Sequence, residues 1–231
     1  MSGGAPAEGE GLAIDLHAHT RFFHSDPGQP TRYDRAGARM LAAFARWNDL
    51  DGVALTNHDY YRSFGSVPEL SFLPGIEIST TDGHLLVVGP DPPTHTDPGA
   101  LTPMEAVDLA HERGCAAILP HPFRRGSVLE SDAPFDAVEI NGKHPRVGER
   151  VRDLAAERDL PVVAGSDAHL PFEVGRAYTT VDVDEVTPGA VVDAIRAGRV
   201  APRIVPRSSS QVMELVYQVV HRYRRLDWTF P

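Results

Sequence analysis

The stretch DLHAHTRFFHSD, Asp15 to Asp26, places three histidines and two of its aspartates directly behind a short apolar run. Imidazole nitrogens and carboxylate oxygens are the ligand set for zinc, manganese or iron. In HAH, and again in DAH, the outer residues stand two apart. On an extended chain such residues point to the same side. His17 with His19, and Asp167 with His169, can therefore each reach one site as a pair. His58 in ALTNHD, His84 opening HLLVVG and His121 in LPHP extend the set. Glu77 joins them, because a carboxylate in the apolar run LPGIEIST needs a cation or a partner. His24 belongs to the same group, with Asp26 able to take its place, and Asp15 reads as a residue that orients a ligand histidine. Histidine is 11 of 231 residues, an excess that ligation would explain. His95, His111 and His221 read as solvated, and His144, beside Lys143, as within reach of a substrate.

The elements that must carry these donors alternate. LAIDLHAH is a strand pattern, and YDRAGARMLAAFARWNDL a helix with Asp34 as its N-cap. DGVALTNHD, LSFLPGIEIST and GHLLVVGP read as strands. Thr102 caps PMEAVDLAHERG, with proline at the first helical position and Gly114 closing it. CAAILPHP, FDAVEINGK, the helix RVGERVRDLAAERD, LPVVAGSDAH, the strand GRAYTTVDV and the helix TPGAVVDAIRAGR follow. This rhythm predicts the α/β class, with a parallel sheet or barrel. The donors fall at the C-terminal ends of the strand patterns, Glu139 and Asn141 of VEIN among them. In a barrel those ends meet at one mouth, where barrel active sites lie.

Composition narrows the function. At 231 residues and 42% hydrophobic content the chain can bury a sizeable core. Residues 1–11, MSGGAPAEGEG, lack the basic and apolar regions of a signal peptide and read as a short disordered lead. Residues 12–206 form the expected barrel. Residues 207–231 carry Val212, Leu215, Val216, Val219, Val220 and Tyr223 at helical spacing. That tail reads as an amphipathic helix packed on the domain, or as a contact through which the chain pairs into a homo-oligomer. No run approaches the ~20 apolar residues of a membrane span. The single cysteine, Cys115, sits among apolar neighbours, excludes a disulfide framework and fits a reducing, cytoplasmic compartment. The net charge of −10 argues against a general nucleic-acid binder, so a small molecule rather than long nucleic acid is the expected partner.

DLHAHT, ALTNHD, PGIEIST with GHLLVVG, ILPHP, VEIN and GSDAH, in this order, resemble the PHP (polymerase and histidinol phosphatase) family. The resemblance implies a distorted (β/α)7, TIM-like barrel with a di- or trinuclear metal centre at the C-terminal strand ends. It implies that His17, His19, Glu77 and Asp167 hold one metal. Glu77 would bridge to a second with His84 and His121, and His24, His58 and His169 would take a third. Asn57 stands where the family often has aspartate, and His24 where many members also carry aspartate.

Two or three such ions (zinc, manganese or iron) can activate a bridging hydroxide at neutral pH and neutralise charge on a phosphoryl group. Asp167 would orient that nucleophile, Glu77 bridge the metals, and His169 help place the phosphate. Arg124 and Arg125 follow His121, and Lys143, the lone lysine, follows Glu139. With Arg21 they are the expected phosphate contacts. The expected activity is a metal-dependent phosphoesterase acting on a small phosphorylated metabolite or a nucleotide. A metal-dependent hydrolase of an amide, carbamate or ester bond is the alternative, with Arg124, Arg125 and Lys143 turned into the mouth as the sign for phosphate. A non-catalytic binding module is a third reading, weakened by the full donor set.

Overall fold

The computed structural model describes residues 11–22, 29–124 and 128–205. Most of the lead, the whole tail, His24, Asp26, Arg125 and His221 lie outside the described residues.

Among the described residues nine strands form one sheet: β1 (Leu12–Ala18), β2 (Gly52–Leu55), β3 (Ser71–Ser79), β4 (His84–Val88), β5 (Ala116–Leu119), β6 (Ala137–Asn141), β7 (Val162–Gly165), β8 (Ala177–Val181) and β9 (Val200–Ile204). Their order is β7-β6-β5-β4-β3-β2-β1-β8-β9. The sheet curls into a nearly closed barrel. Its first and last strands approach each other, and a bridge joins Ala18 to Ala168 just past β7. At this seam Thr179 of β8 uses its hydroxyl in place of a backbone ladder. The hydroxyl accepts from the Ala164 N–H and donates to the Ala164 carbonyl, both at 2.8 Å.

The fold is the expected α/β barrel, with a departure from strict strand–helix alternation. β4 runs antiparallel to both β3 and β5, and β8 antiparallel to β1 and β9. The TTDG turn explains the first of these, since a short turn closed by Thr80 N–H to the Gly83 carbonyl (2.7 Å) returns the chain as a hairpin. The other strands described share one direction. Reversal is also why His84, which opens β4, lies at the same end of the barrel as residues that close the other strands.

Four α-helices occur among the described residues: α1 (Asp34–Trp47), α2 (Pro103–Glu112), α3 (Gly148–Glu157) and α4 (Pro188–Arg196). Thr102 caps α2 in a reciprocal capping box with Glu105, and Thr187 caps α4. Asp34 does not cap α1. Its buried carboxylate instead accepts from the Thr31 N–H at 2.7 Å. No described helix is long and apolar enough to cross a membrane.

One apolar cluster gathers Ile14, Leu16, Ala54, Leu73, Leu86, Ile118 and Val163 with α4, and it can only be the barrel interior. Along β3 the same face continues from Leu73 to Glu77, along β6 from Ala137 to Glu139, and past β2 from Ala54 to His58. The interior is thus apolar below and polar above, read off even spacings. β1 needs a further device. Its register shifts between Asp15 and Ala18. This bulge changes the phase of alternation, so that His17 follows Leu16 and both still contribute to the interior.

Candidate metal centre

Glu77 is the hub. Its carboxylate lies 3.3 Å from His17 Nε2, 3.4 Å from His19 Nε2, 3.2 Å from His58 Nδ1, 2.8 Å from His84 Nδ1 and 3.2 Å from His121 Nε2. Asp167 forms the second hub. One oxygen lies 3.5 Å from His19 Nε2, 3.1 Å from His169 Nδ1 and 3.1 Å from Lys143 Nζ. The other accepts from Arg124 at 3.1 Å and from the Asn141 amide at 3.3 Å. His17, His19, Glu77 and Asp167 are buried, while His58, His84 and His169 form the partly open edge.

Charge is concentrated here. Burial works against ionising Glu77, yet His58, His17 and His84 beside it hold its carboxyl well below the usual range. Burial likewise opposes the charge on Asp167, and Lys143, His169 and His17 overcome it in the same direction. Burial pushes His19 well down, helped by His169 and His58, and brings His58 to about 3. His17 goes the other way: despite burial, Glu139, Glu77 and Asp167 raise it well above its ordinary value. Two buried carboxylates are thus held as anions beside imidazoles of which His19 and His58 resist protonation and His17 favours it.

The supports are specific. Glu139 accepts from His17 Nδ1 at 2.8 Å, which fixes the ring and leaves Nε2 facing Glu77. A carboxylate behind a histidine is the usual outer partner of a ligand imidazole. Glu173, fully buried, accepts from the backbone N–H groups of His169 and Leu170 at 2.8 and 2.9 Å and shapes the loop after β7. Asp59 ties Ser79 and Thr96 around the end of β3. Asp15 touches backbone, not an imidazole. It accepts from the N–H groups of His17, Ser166 and Gly175, and burial raises it to about 6. Asn57 accepts from the Thr20 N–H at 2.9 Å and donates to the Thr20 hydroxyl at 3.0 Å, a donation that an ionised aspartate could not make. His121 and Asp167 sit at φ of 33° and 53°, left-handed conformations at two of the proposed ligands.

The structure thus brings together His17, His19, His58, Glu77, His84, His121, Asp167 and His169, with Arg124 and Lys143 against them. Arg21 lies elsewhere on the rim, its charge felt by Tyr60. His144 is exposed at the start of a short 3-10 helix (Pro145–Val147). His111, expected to be solvated, is instead paired with Asp136 at 2.8 Å. Sequence reading placed Glu139 among the strand-end donors without its role. For Glu173 no signal existed, because a glutamate in a loop looks like any solvated charge.

The donor set fits a divalent cation. Among the described residues three groups bring their ligand atoms within 4.8 Å of one another: His17, His19 and Asp167; His58, Glu77 and His84; His19, His58 and His169. Among the described residues Nδ1 of His19 and Nδ1 of His121 have no hydrogen-bond partner, although both are buried. Unpartnered buried nitrogens are costly unless something binds them.

Residues 146–200 match the PHP-associated (PHP_C) family. A curated relative, an uncharacterized protein of Methanocaldococcus jannaschii (MJ0417), is 32% identical over 120 residues, 46% of this chain and 49% of its own length. The chain thus spans about half of that relative. Among solved structures, PsfC from Pseudomonas syringae PB-5123 superposes with a TM-score of 0.68 at 18% identity, covering 91% of this chain and 99% of PsfC. Endonuclease Q, solved with a 27-mer duplex carrying an abasic lesion at its active site, gives 0.60 at 18% identity over 84% of this chain and 58% of its own. A two-domain protein from Bacteroides vulgatus ATCC 8482, containing a predicted PHP-like metal-dependent phosphoesterase, gives 0.57 at 16% identity over 87% and 70%. The chain thus shares the barrel fold of these proteins and carries a PHP-associated segment at residues 146–200.

One expectation is corrected. Endonuclease Q, which shares this fold over 58% of its own length, was solved with a 27-mer duplex substrate, so the net charge of this chain does not exclude long nucleic acid. Net charge averages the whole surface, whereas a bound strand senses only the local field, which here includes cations at the mouth.

Proposed function

We propose that the chain is a metal-dependent phosphoesterase. What carries the reading is one carboxylate, Glu77, within 3.4 Å of five imidazoles, beside an Asp167 on which Arg124 and Lys143 converge. His17, His19, Glu77 and Asp167 would hold one divalent cation. Glu77 with His84 and His121 would hold a second, and His58 and His169, with His24, a third. Bound cations would supply an activated water and draw charge from the ester oxygens. Glu139 keeps His17 turned to its ligand face, and Glu173 holds the His169 loop. With Asp167 engaged in ligation, the Lys143 ammonium and the Arg124 guanidinium are free to turn to phosphoryl oxygens, lysine as a point charge and arginine as a fork. Their direction into the mouth favours phosphate over a carbonyl substrate. The reacting unit is residues 12–206.

The substrate class is an ester of phosphate, either a small phosphorylated molecule or a nucleic-acid strand. What favours the second is that endonuclease Q, of similar fold, was solved with a duplex substrate. The test is metal content after chelator-free purification, with turnover of mono- and bis-p-nitrophenyl phosphate with and without manganese or zinc. Two or three metals per chain, and turnover lost roughly 100-fold or more in Asp167→Asn, is the expected result. Metal without phosphoester turnover would sink the reading, and metal-free protein that reconstitution cannot load would remove the ligand assignment as well.

A further inference from the structure

Helix α1 buries Asp34, Gly37, Ala38, Leu41, Ala42 and Ala45 against the barrel, half-buries Phe44 and turns the rest outward. At about 100° per residue the outward residues sort into two ridges. Arg35, Arg39 and Arg46 line one, while Arg32, ahead of the helix, lays its guanidinium over one face of the Tyr33 ring, 4.8 Å from its centroid. Tyr33, Met40 and Trp47 line the other, about 100° further round. The exposed Ala36 and Ala43 form a shallow floor between them. Trp47 is 84% exposed, Tyr33 44% and Met40 38%, and no leucine, isoleucine or valine lies on this outer face. An indole so exposed, in register with a second aromatic ring, marks an interaction surface.

Charge on this face runs against that of the chain, whose net is −10. Asp34 is the lone acid in residues 32–47, and it is buried. Arg46 pairs with the exposed Glu69 at 2.8 Å, and neither Arg35 nor Arg39 forms an ion pair among the described residues. The ridges also lead somewhere. Gly37 in the first turns of α1 lies against the Thr20 carbonyl, so closely that a Cβ would overlap it, and Thr20 follows the metal-centre residue His19. Arg62 donates to the Thr31 carbonyl at 3.2 Å and adds a cation at that end. From there the helix descends ~20 Å along the barrel wall.

We propose that the outer face of α1 is a docking track for single-stranded nucleic acid. Backbone phosphates lie on the arginine ridge, unpaired bases rest against Tyr33 and Trp47, and the strand leads to the metal centre. Phosphate on guanidinium and base on aromatic face is the chemistry that such a pair of ridges matches. A second copy of the chain fits poorly, since it would bring a like-charged ridge. An anionic membrane would need a continuous apolar face to bury, whereas Tyr33, Met40 and Trp47 stand successively about two turns apart. As a statement of substrate class the proposal rests on the phosphoesterase reading, but the binding itself does not.

The test uses the full chain in EDTA, so that binding is read without hydrolysis. A fluorescein-labelled single-stranded oligothymidylate is titrated by anisotropy at about 50 and 200 mM salt. The expected result is binding that weakens with salt. Arg35→Gln/Arg39→Gln should lower affinity about tenfold and flatten the salt dependence. Trp47→Ala should lower affinity about fivefold with the salt dependence kept, and the oligonucleotide should quench tryptophan fluorescence. Circular dichroism confirms that these surface variants fold. No binding at low salt, equal binding of polyglutamate, or affinity untouched by either variant would overturn the track. Binding to phosphatidylserine vesicles but not to the oligonucleotide would overturn it in favour of a membrane face. Turnover of p-nitrophenyl esters without strand binding removes the track alone, and strand binding without turnover removes only the catalytic reading.

Discussion

At the scale of single residues, the centre depends on groups that never face a substrate. Glu139 holds His17 by its Nδ1 at 2.8 Å, with the far nitrogen turned to Glu77. Glu139→Gln keeps the size and removes the charge. We expect it to weaken metal affinity about 10–100-fold, measured by competition with a chromogenic chelator, with the melting temperature of the metal-free protein little changed. An unchanged affinity would make Glu139 a structural buried acid only. Asn57 illustrates the opposite case, a residue whose departure from the family pattern has a local reason. Its amide both accepts from and donates to Thr20, so it fastens the turn after β1 and needs no metal to satisfy it.

At the scale of elements, strand phase decides which side chains enter the barrel. The β1 bulge sets His17 and His19 inward above Ile14 and Leu16, and β7 must come close enough to receive them. Gly165 makes this approach possible: a Cβ there would meet the His17 side chain and backbone and come within 2.7 Å of Glu139 Oε1. Gly165→Ala should therefore destabilise the fold by about 1–3 kcal/mol in urea unfolding and should also loosen metal binding, because strain and ligand share one contact. Loss of stability with metal affinity intact would separate the seam from the site. The reversed strand β4 acts at the same scale. As a hairpin arm it delivers His84 from its first residue, a position at which a parallel strand would have placed it at the opposite end of the barrel.

At the scale of the whole molecule, the polar mouth and the apolar body are separate. The barrel interior is filled by Ile14, Leu16, Ala54, Leu73, Leu86, Ile118 and Val163 without any donor of the centre having to bridge it. Removing metal should accordingly leave a cooperative, folded protein with a lower melting temperature. A fall of roughly 5–10 °C is expected for metal held at a hundred times its dissociation constant, read by differential scanning calorimetry with and without EDTA. A chain that unfolds outright in chelator would show instead that the centre is structural. The charge distribution belongs to this scale too. An overall excess of acid coexists with an arginine-lined helix and with cations on Asp167, which is why a global count misjudged the partners that the fold can accept.

The sequence by itself determined which histidines and carboxylates could serve as donors, the α/β alternation, the capped helices α2 and α4 and the end of the strands toward which those residues converge. These are local facts: ligand chemistry, spacing of two along a strand, and proline after threonine at a helix start. Tertiary structure alone decided which way β4 and β8 run, where β1 breaks phase, how Glu77 comes to face five histidines drawn from four separate stretches, and that Glu139 and Glu173 serve as supports. Each of these rests on pairing between distant segments. A residue's type limits what it can bind, but the partner that long-range packing brings to it decides what it does.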